Sequence, residues 1–132
     1  KSRGLGDVYK RQQLVLFKTE LKRSNHAVVI IQHSDPEYIE VCAELAHSLC
    51  TQQDLLSRLS SDRLGVLLAE KDDAALQVFH VLAKMIEIYP WHRKGLNKSL
   101  PKVVFQDILT FPFTLEQLEE SQPLEVQNGN FA

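Results

Sequence analysis

The sequence predicts an α+β domain: a β-α-β-β-α-β core with an antiparallel sheet, preceded by one extra helix. Three observations carry that expectation. Two apolar, strand-like runs, Leu55–Leu59 and Leu64–Ala69, are joined by Ser60-Ser61-Asp62. Small polar side chains at such a joint suit a tight turn, because Ser and Asp can bond their own backbone there. This hairpin is flanked by segments with helical apolar periodicity, and beyond those lie two more strand-like runs, Ala27–Gln32 and Lys102–Thr110.

Size and composition fit one domain. A chain of 132 residues can bury a single core, and its 44% hydrophobic and 24% charged fractions are those of an ordinary globular protein. The net charge of −2 gives no basic field, so no DNA partner is expected. No apolar run approaches the length that spans a bilayer. Cys42 and Cys50 fall in one predicted helix, about 12 Å apart by its rise, too far to bridge. Reduced thiols and a cytoplasmic setting are the expectation.

Lys1–Arg11 contains GDVYKRQ-like residues that resemble a tract found at the ends of translated raw sequencing reads, and residues 1–11 are expected to be non-native or disordered. Gln12–Ser24 then reads as a helix, with Leu14, Phe17 and Leu21 at i, i+3, i+7. Ala27–Gln32 is a buried strand. Ser34-Asp35-Pro36-Glu37 marks a helix start, with Ser34 or Asp35 as N-cap and Pro36 as the first helical residue. That helix is expected to reach about Thr51 and to bury Ile39, Cys42, Leu45, Ala46, Leu49 and Cys50.

After the hairpin, Asp72-Asp73 is expected to cap and charge a third helix, Asp73–Tyr89, with Ala75, Val78, Leu82, Met85 and Tyr89 buried. Pro90 stops it. Trp91–Pro101 reads as a basic loop. In Lys102–Thr110, Val103, Phe105 and Asp107 alternate against Val104, Gln106 and Ile108. Leu115–Ser121 is a short helix and Gln122–Ala132 a polar tail. The order is the split βαβ, or ferredoxin-like, arrangement, which hosts many unrelated functions.

The hairpin also carries a resemblance. Arg58-Leu59-Ser60-Ser61-Asp62-Arg63-Leu64-Gly65-Val66-Leu67-Leu68 resembles the signature R-L-G-G-D-E-F-A-V-L-L of GGDEF domains, the diguanylate cyclases. Ser60 and Ser61 stand for the glycines, Asp62 is kept, Arg63 stands for the acid and Leu64 for Phe. Arg11, followed by Leu14, Phe17 and Leu21, resembles the end of the L-T-G-L-x-N-R motif and the helix after it. The likeness covers about Arg11–Thr110 and implies a nucleotide-cyclase-like, ferredoxin-like core, with residues 12–121 as one domain. The family's final A-D-x-A-L-Y-x-A-K helix is missing.

The same resemblance argues against catalysis. Diguanylate cyclases hold two Mg²⁺ ions with carboxylates on the first strand and in the turn. Where D-x-D-x-F-K is expected, within Ile31–Tyr38, the chain offers Gln32, His33 and Asp35, and Asp35 is better explained as a helix cap. Arg63 occupies the place of the metal-binding acid and would repel Mg²⁺. Serine Cβ atoms at Ser60 and Ser61 obstruct positive φ and close approach to phosphate. The guanine-reading Asn and Asp are absent, and in the R-x-x-D inhibitory motif Thr51 replaces Arg while Asp54 is kept.

Other clusters are better explained structurally. Cys42, His47 and Cys50 lack a fourth ligand and do not share one helix face, so buried thiols are expected rather than zinc. Neither cysteine has an activating neighbour. His80 reads as a boundary or surface residue. Trp91-His92-Arg93-Lys94 with Lys98 and Lys102 offers charge and stacking for phosphate or RNA, but more simply forms a solvated loop. Phe105 is the one candidate aromatic for an RNA-binding sheet face. The expectation is a catalytically inactive GGDEF-like regulatory or protein-interaction domain of a bacterial signalling protein, with no cofactor and with a protein partner or self-association. The alternatives are a sensor of GTP or cyclic di-GMP without turnover, and an unrelated ferredoxin-like RNA-binding domain.

Overall fold

A computed structural model describes residues 2–109, 112–120 and 124–126, with side chains described within 12–109 and 112–118. In chain order the elements are α1 (Ser2–Arg23), β1 (His26–Gln32), α2 (Pro36–Leu49), β2 (Leu55–Ser60), β3 (Arg63–Leu68) and α3 (Asp72–Ile88). A 3-10 turn at Trp91–Lys94, β4 (Lys102–Leu109), α4 (Leu115–Glu120) and β5 (Leu124–Val126) follow. The strands form one antiparallel sheet in the order β2-β3-β1-β4-β5. No helix among the described residues is long and apolar enough to cross a membrane.

Both faces of the sheet are covered, which explains why Ala27–Ile31 is apolar without alternation. On one face, Ala27, Val29 and Ile31 join Leu64, Val66, Val103 and Phe105 beneath α2 and α3. On the other, Val28 and Leu67 pack with Phe17 and Leu21 of α1 and Leu118 of α4. Gly65 sits under α1 at very close range: a Cβ there would lie 2.8 Å from Phe17 Cζ and 2.9 Å from Leu59 Cδ1. Only a residue without a side chain lets the helix settle onto β3 at this depth.

Several predicted boundaries move. The first helix begins at Ser2 rather than Gln12, so helical backbone runs through the tract set aside above. Asp35 does cap α2, its side chain accepting from the Glu37 N–H at 3.0 Å, with Pro36 as first helical residue. The helix stops at Leu49, because Cys50 is extended (φ −76°, ψ 143°). Its buried residues include Tyr38 and Val41, which the predicted stripe omits. In α3 the buried stripe is Ala75, Phe79, Leu82, Ala83 and Ile86. It is rotated from the predicted one because Phe79 turns inward against Phe105, ring centroids 5.2 Å apart.

Asp72 and Asp73 do not cap α3. Lys71 is the N-cap residue, no side chain bonds the helix end, and Asp72 is held at φ 56°. Both acids still occupy the first turn, where they favour the helix dipole. In β4 the alternation predicted for Val103–Ile108 breaks. The register against β1 shifts between the pairs Val28↔Gln106 and His26↔Leu109, a bulge that returns Ile108 to the α2/α3 side and Leu109 to the other. Leu124–Val126, inside the predicted polar tail, is a strand paired with Val103–Phe105. The rest of that tail lies outside the described residues.

Candidate functional site

The signature turn is built by its own side chains. Strand β2 pairs with β3 through Arg58↔Leu64 and then Ser60↔Arg63, leaving Leu59 as an extra residue in β2. Ser60 Oγ donates to Asp62 Oδ1 at 2.6 Å. Arg58 reaches over the turn, donating from Nε to the Ser60 carbonyl and from Nη2 to the Ser61 carbonyl, both at 3.0 Å. Its Nη1 meets Glu40 Oε2 of α2 at 2.7 Å. The Asp62 carbonyl in turn accepts from the His33 N–H at the end of β1. The Ser60 hydroxyl, more than the nearby Arg63 charge, holds the Asp62 carboxyl below its ordinary range. Neither serine adopts a positive φ; among described residues only Asp72 and Gly95 do.

The remaining signature residues divide between the two faces of the sheet. Leu64 is buried beneath α2 and α3. Arg63 stands opposite Gln32 of β1, and Gln32 stands opposite Lys102 of β4. The donor set where the family's first metal-binding acid and its turn acid would meet is thus an amide beside a guanidinium. Neither is a ligand for a hard divalent cation.

The acid that follows β1 is also engaged. Asp35 Oδ1 accepts from the Glu37 N–H, and Oδ2 lies 3.2 Å from Lys98 Nζ. The backbone bond first and the Lys98 ammonium second hold its carboxyl below the usual range. Among the described residues, no three His, Cys, Asp or Glu side chains converge as a metal site would require. The residues present do not fit the Mg²⁺ pair of a diguanylate cyclase.

His33, read in the sequence as a poor ligand, is a buried structural residue. Its Nδ1 accepts from the Asp35 N–H at 2.9 Å, so the neutral ring donates from Nε2 to the Ser99 carbonyl at 2.8 Å. The ring stacks on Tyr38 at 3.9 Å, and Tyr38 stacks on Trp91 at 4.8 Å. The Tyr38 hydroxyl accepts from the Lys98 N–H at 2.6 Å and donates to the Lys98 carbonyl at 3.3 Å. Trp91 is itself buried, its indole N–H donating to the Ile86 carbonyl at 2.9 Å. The basic loop therefore presents no tryptophan for stacking, although His92, Arg93 and Lys94 are exposed. Phe105 is buried against Phe79 and likewise is no sheet-face platform for RNA.

Asp54 is also engaged internally. Asp54 Oδ2 accepts from the Thr51 N–H at 2.9 Å, and Oδ1 accepts from the Ala69 N–H at 2.7 Å, tying the start of β2 to the end of β3. Burial pushes the Cys42 thiol up to about 12 and the Cys50 thiol up to about 11, Asp54 adding to the second. Thiolate chemistry at either is suppressed. His47 and His80 are exposed.

The structural roles of three residues that organise this end of the sheet escaped the sequence reading: Arg58 across the turn, and His33 and Tyr38 against the loop before β4. The spacing 38, 42, 46 was the available signal for Tyr38, since it places that ring on the same helical face as Cys42 and Ala46. No protein-family model and no curated protein matches this chain.

Proposed function

We propose that this chain is a catalytically inactive GGDEF-like domain with a ferredoxin-like, nucleotide-cyclase-like core, serving as a regulatory or protein-interaction module of a bacterial, cytoplasmic signalling protein. The strand order β2-β3-β1-β4 with two helices on one face supports the topological half of that reading. The hairpin Arg58–Leu68, with Asp62 at the turn, supports the family half. One observation carries the loss of catalysis: Arg63 stands in register against Gln32, where catalysis would need two carboxylates. The exposed Val15 and Leu16 of α1 offer apolar surface for a protein partner or self-association.

The test is incubation of the full chain with GTP and Mg²⁺, together with calorimetric titration of GTP and of cyclic di-GMP. No cyclic di-GMP should form, and neither nucleotide should bind in the micromolar range. Sedimentation velocity then reads self-association directly. Product formation would refute the proposal, and micromolar binding without turnover would replace it with a nucleotide sensor.

A further inference from the structure

Helix α3 carries a second apolar stripe beside the one it buries. Ala74, Val78, Val81, Met85 and Ile88 follow one another at steps of 4, 3, 4 and 3 residues. That is the heptad spacing by which two helices keep one seam facing each other. At 100° per residue the stripe lies about 120° round the helix from the buried line of Ala75, Phe79, Leu82 and Ile86. Val78 still packs against the core, but Ala74 is exposed, and Val81 and Ile88 are 37% and 67% exposed. The large hydrophobic side chains that the described residues expose are Val15, Leu16, Val81 and Ile88, so half of them lie on this line. Exposed apolar surface gathered on one side of one helix marks an interaction site.

Charge identifies the partner. Just before the stripe, Glu70, Asp72 and Asp73 with Lys71 leave a net charge of −2 (three acids, one lysine). Just after it, the turn Trp91–Lys94 carries Arg93 and Lys94, a charge of +2 with His92 neutral. Residues 70–73 and 92–94 are all exposed. Among the described residues, Asp72, Asp73, Arg93 and Lys94 have no ion-pair partner. Between the two ends, Lys84 and Glu87 already pair with each other at 3.2 Å. A second copy laid antiparallel along the stripe meets opposite charge at both ends, whereas a parallel copy meets like charge at both. With a two-fold axis at Val81, Ala74 and Ile88 each lie about 10 Å from it by the helical rise. The smallest side chain of the stripe then sits beside the partner's Ile88, the most exposed one.

We infer that α3 is a self-association surface. Two copies of this chain pair antiparallel through Val81 and its stripe, with the Asp72-Asp73 end of each against the Arg93-Lys94 turn of the other. Such a contact is isologous, so it closes at a dimer. One helix face buries less than about 1,200 Å² in total, the range of weak and reversible complexes. The inference rests on the reading of this chain as an interaction module and supplies its partner; it uses nothing of the hairpin resemblance.

Sedimentation equilibrium of the full chain tests it, with an expected dissociation constant on the order of 10–100 µM. Val81→Lys sets two like charges at the axis and should weaken association at least about tenfold. Ile88→Ser should weaken it about three- to tenfold through lost apolar burial. Both positions are exposed in the single copy, so circular dichroism of dilute protein should stay unchanged. Arg93→Glu and Asp73→Lys should each weaken the dimer, and the two together should restore it, because the charges are exchanged across the axis. Should Val81→Lys disturb the fold, Ile88→Ser and the charge exchange decide alone. A chain that stays monomeric to about 500 µM, well above the expected range, would overturn the inference. So would a dimer that survives both Val81→Lys and Ile88→Ser, one broken instead by Leu16→Lys of α1, or charge variants that do not rescue each other. Nucleotide turnover would refute the inactive-domain reading without moving this dimer, and a dimer through α1 would refute this surface without touching that reading.

Discussion

Tyr38→Phe removes one oxygen atom from the best-connected side chain at the working end of the sheet. The ring would remain stacked between His33 and Trp91, since the hydroxyl is not part of either stacking contact. What is lost is the pair of bonds to the Lys98 backbone, at 2.6 and 3.3 Å. The first is short and satisfies an N–H in a part-buried loop; the second is long and contributes little. A donor stripped of its partner costs about 1–3 kcal/mol when fully buried, and partial access of water brings the expectation to about 1–2 kcal/mol. With ~2.1 cal/mol/K of unfolding entropy per residue, 132 residues convert that loss into a melting-temperature drop of about 4–7 °C. Trp91, the chain's single tryptophan, is buried against Tyr38, so its fluorescence during urea unfolding reports the transition at the site itself. Amide exchange at Lys98 should accelerate in parallel. An unchanged urea midpoint, or a loss of stability without faster exchange at Lys98, would refute the claim that Tyr38 anchors the loop through its hydroxyl.

The Phe17 contact makes Gly65 the least replaceable residue of β3: Gly65→Val should cost about 1–3 kcal/mol by overpacking. Phe17→Leu should recover part of that loss in a double-mutant cycle of urea midpoints. Cys42 should resist thiol reagents until the domain unfolds, with Cys50 reacting first but still far more slowly than a free thiol, as timed by absorbance labelling. Asp35 and Asp62 bind protons less readily in the folded than in the unfolded chain, so protons favour the unfolded state as pH falls. Their contribution should be complete above the ordinary carboxyl value of 3.8 and drain away below it, and Asp35→Asn should flatten that acid limb of stability against pH.

The legible parts of the fold were those governed by local chemistry. Asp35-Pro36 announces a helix start because a short carboxylate can accept from a free N–H and proline fits the first turn, and the structure has that cap. The hairpin was visible because two apolar runs flank a polar joint of three residues. What escaped depends on contacts distant in sequence. Periodicity gave the buried stripe of α3 an angle, but only Phe105 on β4 decides that Phe79 rather than Val78 lies at its centre. A β-bulge adds a residue without altering composition, so the switch at Ile108 and Leu109 left no trace in the pattern. Trp91 looked available for stacking because its neighbours are basic, whereas Tyr38, 53 positions earlier (91 − 38), holds it inside. Arg58 read as one letter of a motif; that it grips two turn carbonyls and Glu40 depends on where α2 lies.

The turn illustrates how a ligand-binding loop and a structural staple can share an outline. A phosphate-cradling turn leaves backbone N–H groups and carboxylates directed outward for the ligand. Here the hydrogen-bonding capacity is spent inward: Asp62 on Ser60, and the carbonyls of Ser60 and Ser61 on Arg58. Arg63→Glu alone therefore should not create a Mg²⁺ site, because the new carboxylate would face the Gln32 amide. Adding Gln32→Asp would set two carboxylates side by side in register, with Lys102 next to them. Two adjacent acids repel each other, and the fold should lose stability until a cation neutralises them. The double variant should thus be destabilised at neutral pH and regain melting temperature with Mg²⁺, whereas the single variant and the native chain should show no such dependence. A Mg²⁺-dependent rise in the native chain would mean that some other set of carboxylates holds the ion, contrary to the assignment of Asp35, Asp54 and Asp62 to structural bonds.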